Sequence, residues 1–372
     1  MAWRTLFGVL ATMLVVTGCG GGSTPPPQQR AAKVPPLAQR LDADFAELAE
    51  YAGVPGAVAA LVVDGRLVWS GAYGSADVAR KRKMQPGTPM AFGSITKTVT
   101  ASIALKLAEE GRLSLDDPVR RWLPEWRGGR TITVRRLLSQ TAGVADPGES
   151  FYIAHDKPPT RVNTPADWLA ALPAPNRAPV DTPTYANANY ILAGLVLKRA
   201  ARGRWRAIVR GLPNGLALQP DELAPTRPAR GYWYPDGTTP TAIPTGGGGM
   251  VPSTATATVA WTAGGLAASA PAVAQWADGL LGGDALEPDS LAQMTTFNDG
   301  TAMWNGYGLG LARGLFANHE VWGHIGDIPG FHAELWHIPD EDVTLVAAWN
   351  DDRIDEDGII RGLANLTLQT ID

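Results

Sequence analysis

Apolar residues at 37, 41, 45 and 48 give Leu37–Tyr51 a helical spacing, and Gly53 and Pro55 close it. Ala57–Val63 is then continuously apolar, Asp64-Gly65 is a hairpin turn, and Leu67–Tyr73 returns, which predicts two antiparallel strands. Ile95, Val99, Ile103 and Leu107 recur every four residues up to Gly111, which predicts a helix over Ser94–Glu110. Val134–Ser139 and Tyr190–Arg202 are further helical segments, whereas residues 145–184 are rich in proline and yield no clear element. Small and apolar residues fill 257–281, with a helix expected over Pro271–Leu281. Strands return at Glu320–Ile325, Phe331–Ile338 and Val343–Trp349, and a last helix fits Ile359–Leu368. Strands at both ends around a helical middle predict an α+β fold. One antiparallel sheet is flanked by the terminal helices, a second lobe is all-helical, and a cleft lies between them. The body is expected to span 37–370, with the sheet lobe at about 37–93 and 257–372 and the helical lobe at about 94–256.

The first residues follow a different pattern. Arg4 precedes an apolar run, Leu6–Val16, that ends in Thr17-Gly18-Cys19. The run is shorter than the ~20 residues a membrane span needs, and its flanks suit a secretion signal over residues 1–18. Val16-Thr17-Gly18-Cys19 resembles the bacterial lipobox, which implies cleavage before Cys19 and attachment of lipid to its sulfur. Residues 19–36 then read as a tether, Gly/Ser-rich and afterwards Pro-rich. The expected location is therefore the cell membrane or outer membrane, facing the periplasm or exterior.

Composition narrows the class. Of 372 residues, 45% are hydrophobic and 18% charged, which excludes a disordered chain and a coiled coil. The net charge of -4 comes without a basic stripe, so nucleic acid is not an expected partner, and Arg80–Lys83 reads as a solvated turn. The lone Cys19 can form neither an internal disulfide nor a Cys-rich zinc site. Gly246–Gly249 lacks the lysine and the strand–helix setting of a phosphate loop and reads as surface. Neither a metal nor a cofactor is expected, and the protein is expected to be a monomer.

Three short segments carry candidate chemistry. Ser94-Ile95-Thr96-Lys97 opens a helix, and residues three apart share a face, so the Lys97 amine lies beside the Ser94 hydroxyl. An N-cap serine beside a surface lysine would look the same. Tyr185-Ala186-Asn187 sits in a loop before the helix at Tyr190, and His324-Ile325-Gly326 at the end of a strand, where Gly326 would let a substrate backbone approach. Each is weak alone; the chance of all three is roughly 0.02 in a chain of this composition.

Together and in this order they resemble the serine β-lactamase and penicillin-binding protein family. The branch with class C β-lactamases, D-alanyl-D-alanine carboxypeptidases and esterases is the most similar. Leu137-Leu138-Ser139-Gln140-Thr141-Ala142-Gly143, Ala263-Gly264-Gly265-Leu266 and Tyr307-Gly308-Leu309-Gly310 also match this branch. The resemblance implies a β-lactamase/transpeptidase-like fold and an acyl-serine mechanism. Ser94 would be the nucleophile, Lys97 its partner and Tyr185 the second proton-transfer group. Asn187, His324, Gly326 and Asp327 would face substrate, with the backbone N–H groups of Ser94 and Asp327 as oxyanion hole.

A free serine needs a base beside it, and holding a lysine of ordinary pKa, about 10.4, neutral at pH 7 costs about 4.6 kcal/mol. Burial at the lobe junction could supply the shift. Which of Lys97 and Tyr185 acts first stays open in the sequence. Two departures stand out. His324 replaces a lysine common in relatives, and Asp327 adds a negative charge, so a substrate carboxylate would be held less well. Gln140, where relatives carry histidine, is expected to matter only structurally. The expected substrates are D-alanyl peptides of the cell wall, small esters or β-lactams. The competing reading is a non-catalytic binder of peptidoglycan or a partner protein on the same fold.

Overall fold

The computed structural model describes residues 36–371 except 127, 129–130, 173–179, 301–304 and 354–357. The signal segment, Cys19 and the tether up to residue 35 lie outside the described residues. Helix α1 (Leu37–Tyr51) has the predicted bounds and buries Leu41, Phe45 and Ala49, one residue per turn. Strands β1 (Gly56–Val63) and β2 (Arg66–Asp77) pair through Asp64 and Gly65, both at positive φ, as a tight hairpin with matching twist requires.

The large sheet adds β3 (Arg82–Lys83) and six strands from the C-terminal part: β4 (Asn298–Asp299), β5 (Gly306–Tyr307), β6 (Ala312–Phe316), β7 (His319–Ile328), β8 (Phe331–Ile338) and β9 (Val343–Trp349). Its order is β3-β2-β1-β9-β8-β7-β6-β5-β4, antiparallel throughout. Alternate side chains feed two cores. Ala57, Ala59, Leu61, Leu345, Ala347 and Trp349 pack with α1 and with the last helix, which runs from Ile359 to Ile371. Val58, Ala60, Val62, Leu335, Val346 and Ala348 face the opposite way. That side is covered by Ala270–Leu281, so the sheet carries a third helix as well as the two terminal ones.

In the second lobe α2 (Thr96–Glu109), α3 (Asn187–Ala200) and α4 (Thr254–Gly264) pack on one another. The helical lobe therefore extends through 264, past the expected 256. The proline-rich stretch contains two short helices, Glu149–His155 and Pro165–Ala171, the second opened by a Thr164–Asp167 capping box. The lobes are joined by a small sheet in which Met90 pairs with Ala268 and Ala217 with Ala267.

Candidate active site

Ser94 stands where the chain leaves the small sheet and enters α2. It lies in a 3-10 turn, Gly93–Ile95, and not in the first α-turn that its spacing suggested. Gly93 has a φ of +47°, and a Cβ there would fall 2.8 Å from the Asp327 nitrogen. Only glycine fits at this junction of turn and β7. The next turn places Lys97 fully inside the protein, with Nζ 2.8 Å from Ser94 Oγ, 2.8 Å from Asn187 Oδ1 and 2.8 Å from the Ala263 carbonyl. Burial lowers its pKa from 10.5 to about 7; Asp146 acts weakly the other way.

Ala263 reaches Lys97 through a break in α4. Trp261 has a φ of +32°, an unusual conformation for a bulky residue, and its indole is fixed by a hydrogen bond to Asp221 Oδ2 at 2.7 Å.

Tyr185 donates its hydroxyl proton to Ser94 Oγ at 2.6 Å, from the loop before α3. Burial, then Tyr307, pushes its phenol well above the usual range, so it is a neutral donor at pH 7. The loop is held by Gln140, whose Oε1 accepts from the Ala186 N–H at 3.0 Å and from Asn189 Nδ2 at 2.6 Å. Gln140 thus does more than fill space: it sets the position of Tyr185 and Asn187.

The third segment arrives differently from expectation. His324 lies within β7, not at its end, and is 1% exposed. Its Nδ1 donates to the Ile325 carbonyl, which leaves Nε2 to accept from the Tyr307 hydroxyl at 3.1 Å. Burial brings its pKa down to about 3. A neutral ring with both nitrogens engaged has no charge to offer a substrate carboxylate. Gly326 admits the protein's own backbone, since a Cβ there would lie 2.1 Å from the Phe92 carbonyl oxygen. Asp327 does face the cleft, half-exposed, with its carboxylate 2.5 Å from His332 Nδ1.

A model of the family described as Beta-lactamase matches residues 41–368. The chain belongs to the beta-lactamase family. Its solved neighbours include a D-stereospecific amidohydrolase from Streptomyces sp., 29% identical, with a TM-score of 0.69 over 84% of this chain and 94% of that one. Esterase EstB of Burkholderia gladioli is 37% identical over 114 residues, 29% of each chain. Protein flp of Staphylococcus aureus (strain COL) is 32% identical over 156 residues, 40% of this chain and 30% of its own length. The matches therefore span about a third of these curated relatives.

In this beta-lactamase-family chain Ser94, Tyr185, Asn187, His324 and Asp327 border one cavity of about 560 Å³, with Lys97 buried beneath it. Trp168, Val259, Ala260 and Ile328 give it apolar walls, and Glu149, Asp156 and Lys157 lie among its charged groups. Sequence reasoning gave no role at the site to Tyr152, Asp146 or Tyr307. Tyr152 OH lies 3.5 Å from Asn187 Nδ2, and Asp146 Oδ1 takes the Ala188 N–H at 2.6 Å, next to the start of α3. Neither lay in a matched motif. Tyr307 lay in the matched Tyr-Gly-Leu-Gly segment, whose Gly310 packs on α2 with a would-be Cβ 2.6 Å from the Lys97 carbonyl oxygen. Among the described residues, two groups could hold a cation, Asp278 with His337 and Asp342, and His319 with Asp340 and Glu341. None of these residues lines the cavity.

Proposed function

We propose that the protein is a serine hydrolase that opens amides or esters through an acyl-Ser94 intermediate. The observation that carries this reading is the convergence of Lys97 Nζ and Tyr185 OH on one oxygen, Ser94 Oγ. A neutral Lys97 has two N–H bonds, and Asn187 Oδ1 and the Ala263 carbonyl can only accept. Its lone pair is then left for the Ser94 proton. Ser94 Oγ attacks the carbonyl carbon while its proton passes to Lys97. The oxyanion meets the N–H groups of Ser94 and Asp327, which lie on two backbones in contact, and each is worth roughly 3 kcal/mol of barrier. When the intermediate collapses, the proton on Lys97 returns through Tyr185 to the departing amine or alcohol. Water then attacks the acyl-serine by the same route and frees Ser94. Tyr185 is held neutral, which favours Lys97 as the first base.

The substrates proposed are D-amino acid amides and small esters, ahead of β-lactams and of D-alanyl peptides, which both carry a free carboxylate. His324 is neutral and the carboxylates of Glu149, Asp156 and Asp327 outnumber the one lysine of the lining, Lys157, which disfavours a negatively charged group in this cavity, and the amidohydrolase and esterase similarities point the same way. The proposal also keeps the enzyme at a membrane through lipid on Cys19, and Cys19→Ala should move it from the membrane fraction to the soluble one.

A panel of p-nitrophenyl esters, D-phenylalanine amide, a D-Ala-D-Ala peptide and nitrocefin tests the reading. Turnover of an ester or amide that Ser94→Ala abolishes, with thermal stability nearly unchanged, is the expected result. No turnover by the folded protein and no labelling by a fluorophosphonate would favour the binder.

A further inference from the structure

Two sequence features with no part in the reaction, Arg80–Lys83 and Gly246–Gly249, meet in the fold. They border a second cavity of about 430 Å³, within the roughly 300–1,000 Å³ of small-molecule sites. Its lining includes the guanidinium-bearing Arg80, Arg82, Arg227 and Arg230, and one carboxylate, Asp77. Asp77 is already taken by Arg80, whose Nη1 lies 2.9 Å from its Oδ2. Arg82 donates only to the Pro228 carbonyl, at 2.6 Å, and Arg230 to that of Ile243, at 3.0 Å. Arg227 is exposed and makes no hydrogen bond or ion pair among the described residues. Burial lowers the Arg82 pKa; Asp77 opposes that shift, and Arg227 and then Arg80 add to it. On the other side Gly247 and Gly249, at φ +73° and +72°, present backbone without side chains. The packing of Gly231 and Ile243 against Gly330 lies close to Ile328 and Pro329 of the first cavity, so this site is separate from but close to the catalytic seam.

We propose that this cavity is a second binding site, which takes a phosphate ester. Guanidinium forks match the tetrahedral oxygens of phosphate, and a dianion balances a surplus that a single carboxylate would leave. The bare glycine backbone allows the anion close approach. The ester is either a soluble sugar- or glycerol-type phosphate or the headgroup of an anionic lipid.

The full chain carrying Cys19→Ala, and so free of anchored lipid, distinguishes the two sources. Calorimetric titration with glycerol 3-phosphate, and with acetate as control, tests the soluble arm. Sedimentation with vesicles of phosphatidic acid in phosphatidylcholine, whose headgroup is a phosphate monoester, against phosphatidylcholine alone, tests the lipid arm. Binding in either arm is expected to weaken at least about tenfold in Arg227→Glu, to fall with added salt and to exceed any binding of acetate. Arg227 is exposed, so this variant should fold, and its hydrolysis of p-nitrophenyl acetate should stay within about twofold of the parent. Binding to vesicles alone assigns the site to the lipid, and binding of glycerol 3-phosphate to a soluble ester. No binding in either arm, equal binding by Arg227→Glu, or acetate bound as tightly as the phosphate overturns the proposal.

Discussion

Lys97 has no contact with solvent and three hydrogen-bond partners, two of which accept only. Burial lowers its pKa to about 7, and a base works only when unprotonated. The kcat/KM for an uncharged ester should therefore rise about tenfold per pH unit below about 7 and level off above it. Stability carries the same signature. Between about 7 and 10.5 the unfolded chain holds a proton on Lys97 that the native protein has released, so folding stability rises with pH across that window. Lys97→Met should cut hydrolysis by roughly 10²–10⁴, leave the melting temperature at pH 7 no lower than the parent's, and remove this part of the pH-dependent rise. A variant that melts well below the parent at pH 7 would show that the amine is not held at a cost.

In the proposed mechanism, the contact between β7 and the turn Gly93–Ile95 decides whether Ser94 meets the oxyanion donors. Gly326 leaves 2.1 Å between a would-be Cβ and the Phe92 oxygen, a gap no real side chain fills. Gly326→Ala should therefore destabilise by about 1–3 kcal/mol and reduce kcat far more than it changes KM. Circular dichroism with steady-state kinetics checks both. This contact also marks the limit of what sequence could reveal. The bounds of α1, β8 and β9 were legible, because Leu41, Phe45 and Ala49 obey the helical period and the two strands are rich in β-formers and bounded by turn residues. The trio Ser94, Lys97 and Tyr185 was legible from spacing and resemblance. The role of Gly326 was not, since a missing side chain does not say which backbone comes near. His324 likewise hid its partner, because the Tyr307 that fixes its ring comes from another strand, and Gln140 acts on a loop more than forty residues away.

The whole body rests on two cores divided by the sheet, and α1 belongs to one of them. A chain beginning at Pro36 keeps Leu41, Phe45 and Ala49 and should retain cooperative unfolding and Ser94 labelling. A chain beginning at Gly56 loses all three, Leu41 and Phe45 each worth roughly 1.5–3 kcal/mol, and exposes apolar surface of the sheet, so it should be insoluble or open. Differential scanning calorimetry of the two separates these outcomes. The seam itself is a property of the whole molecule, because its groups come from the small sheet, α2, α4, the loop before α3 and β7 at once. Rapid acid quench during turnover of p-nitrophenyl acetate, followed by mass spectrometry of the peptides, tests that convergence most directly. The account expects an added acetyl group on the peptide containing Ser94 and none in Lys97→Met within the same interval. An acetyl group on another residue, or unchanged turnover by Ser94→Ala, would contradict it.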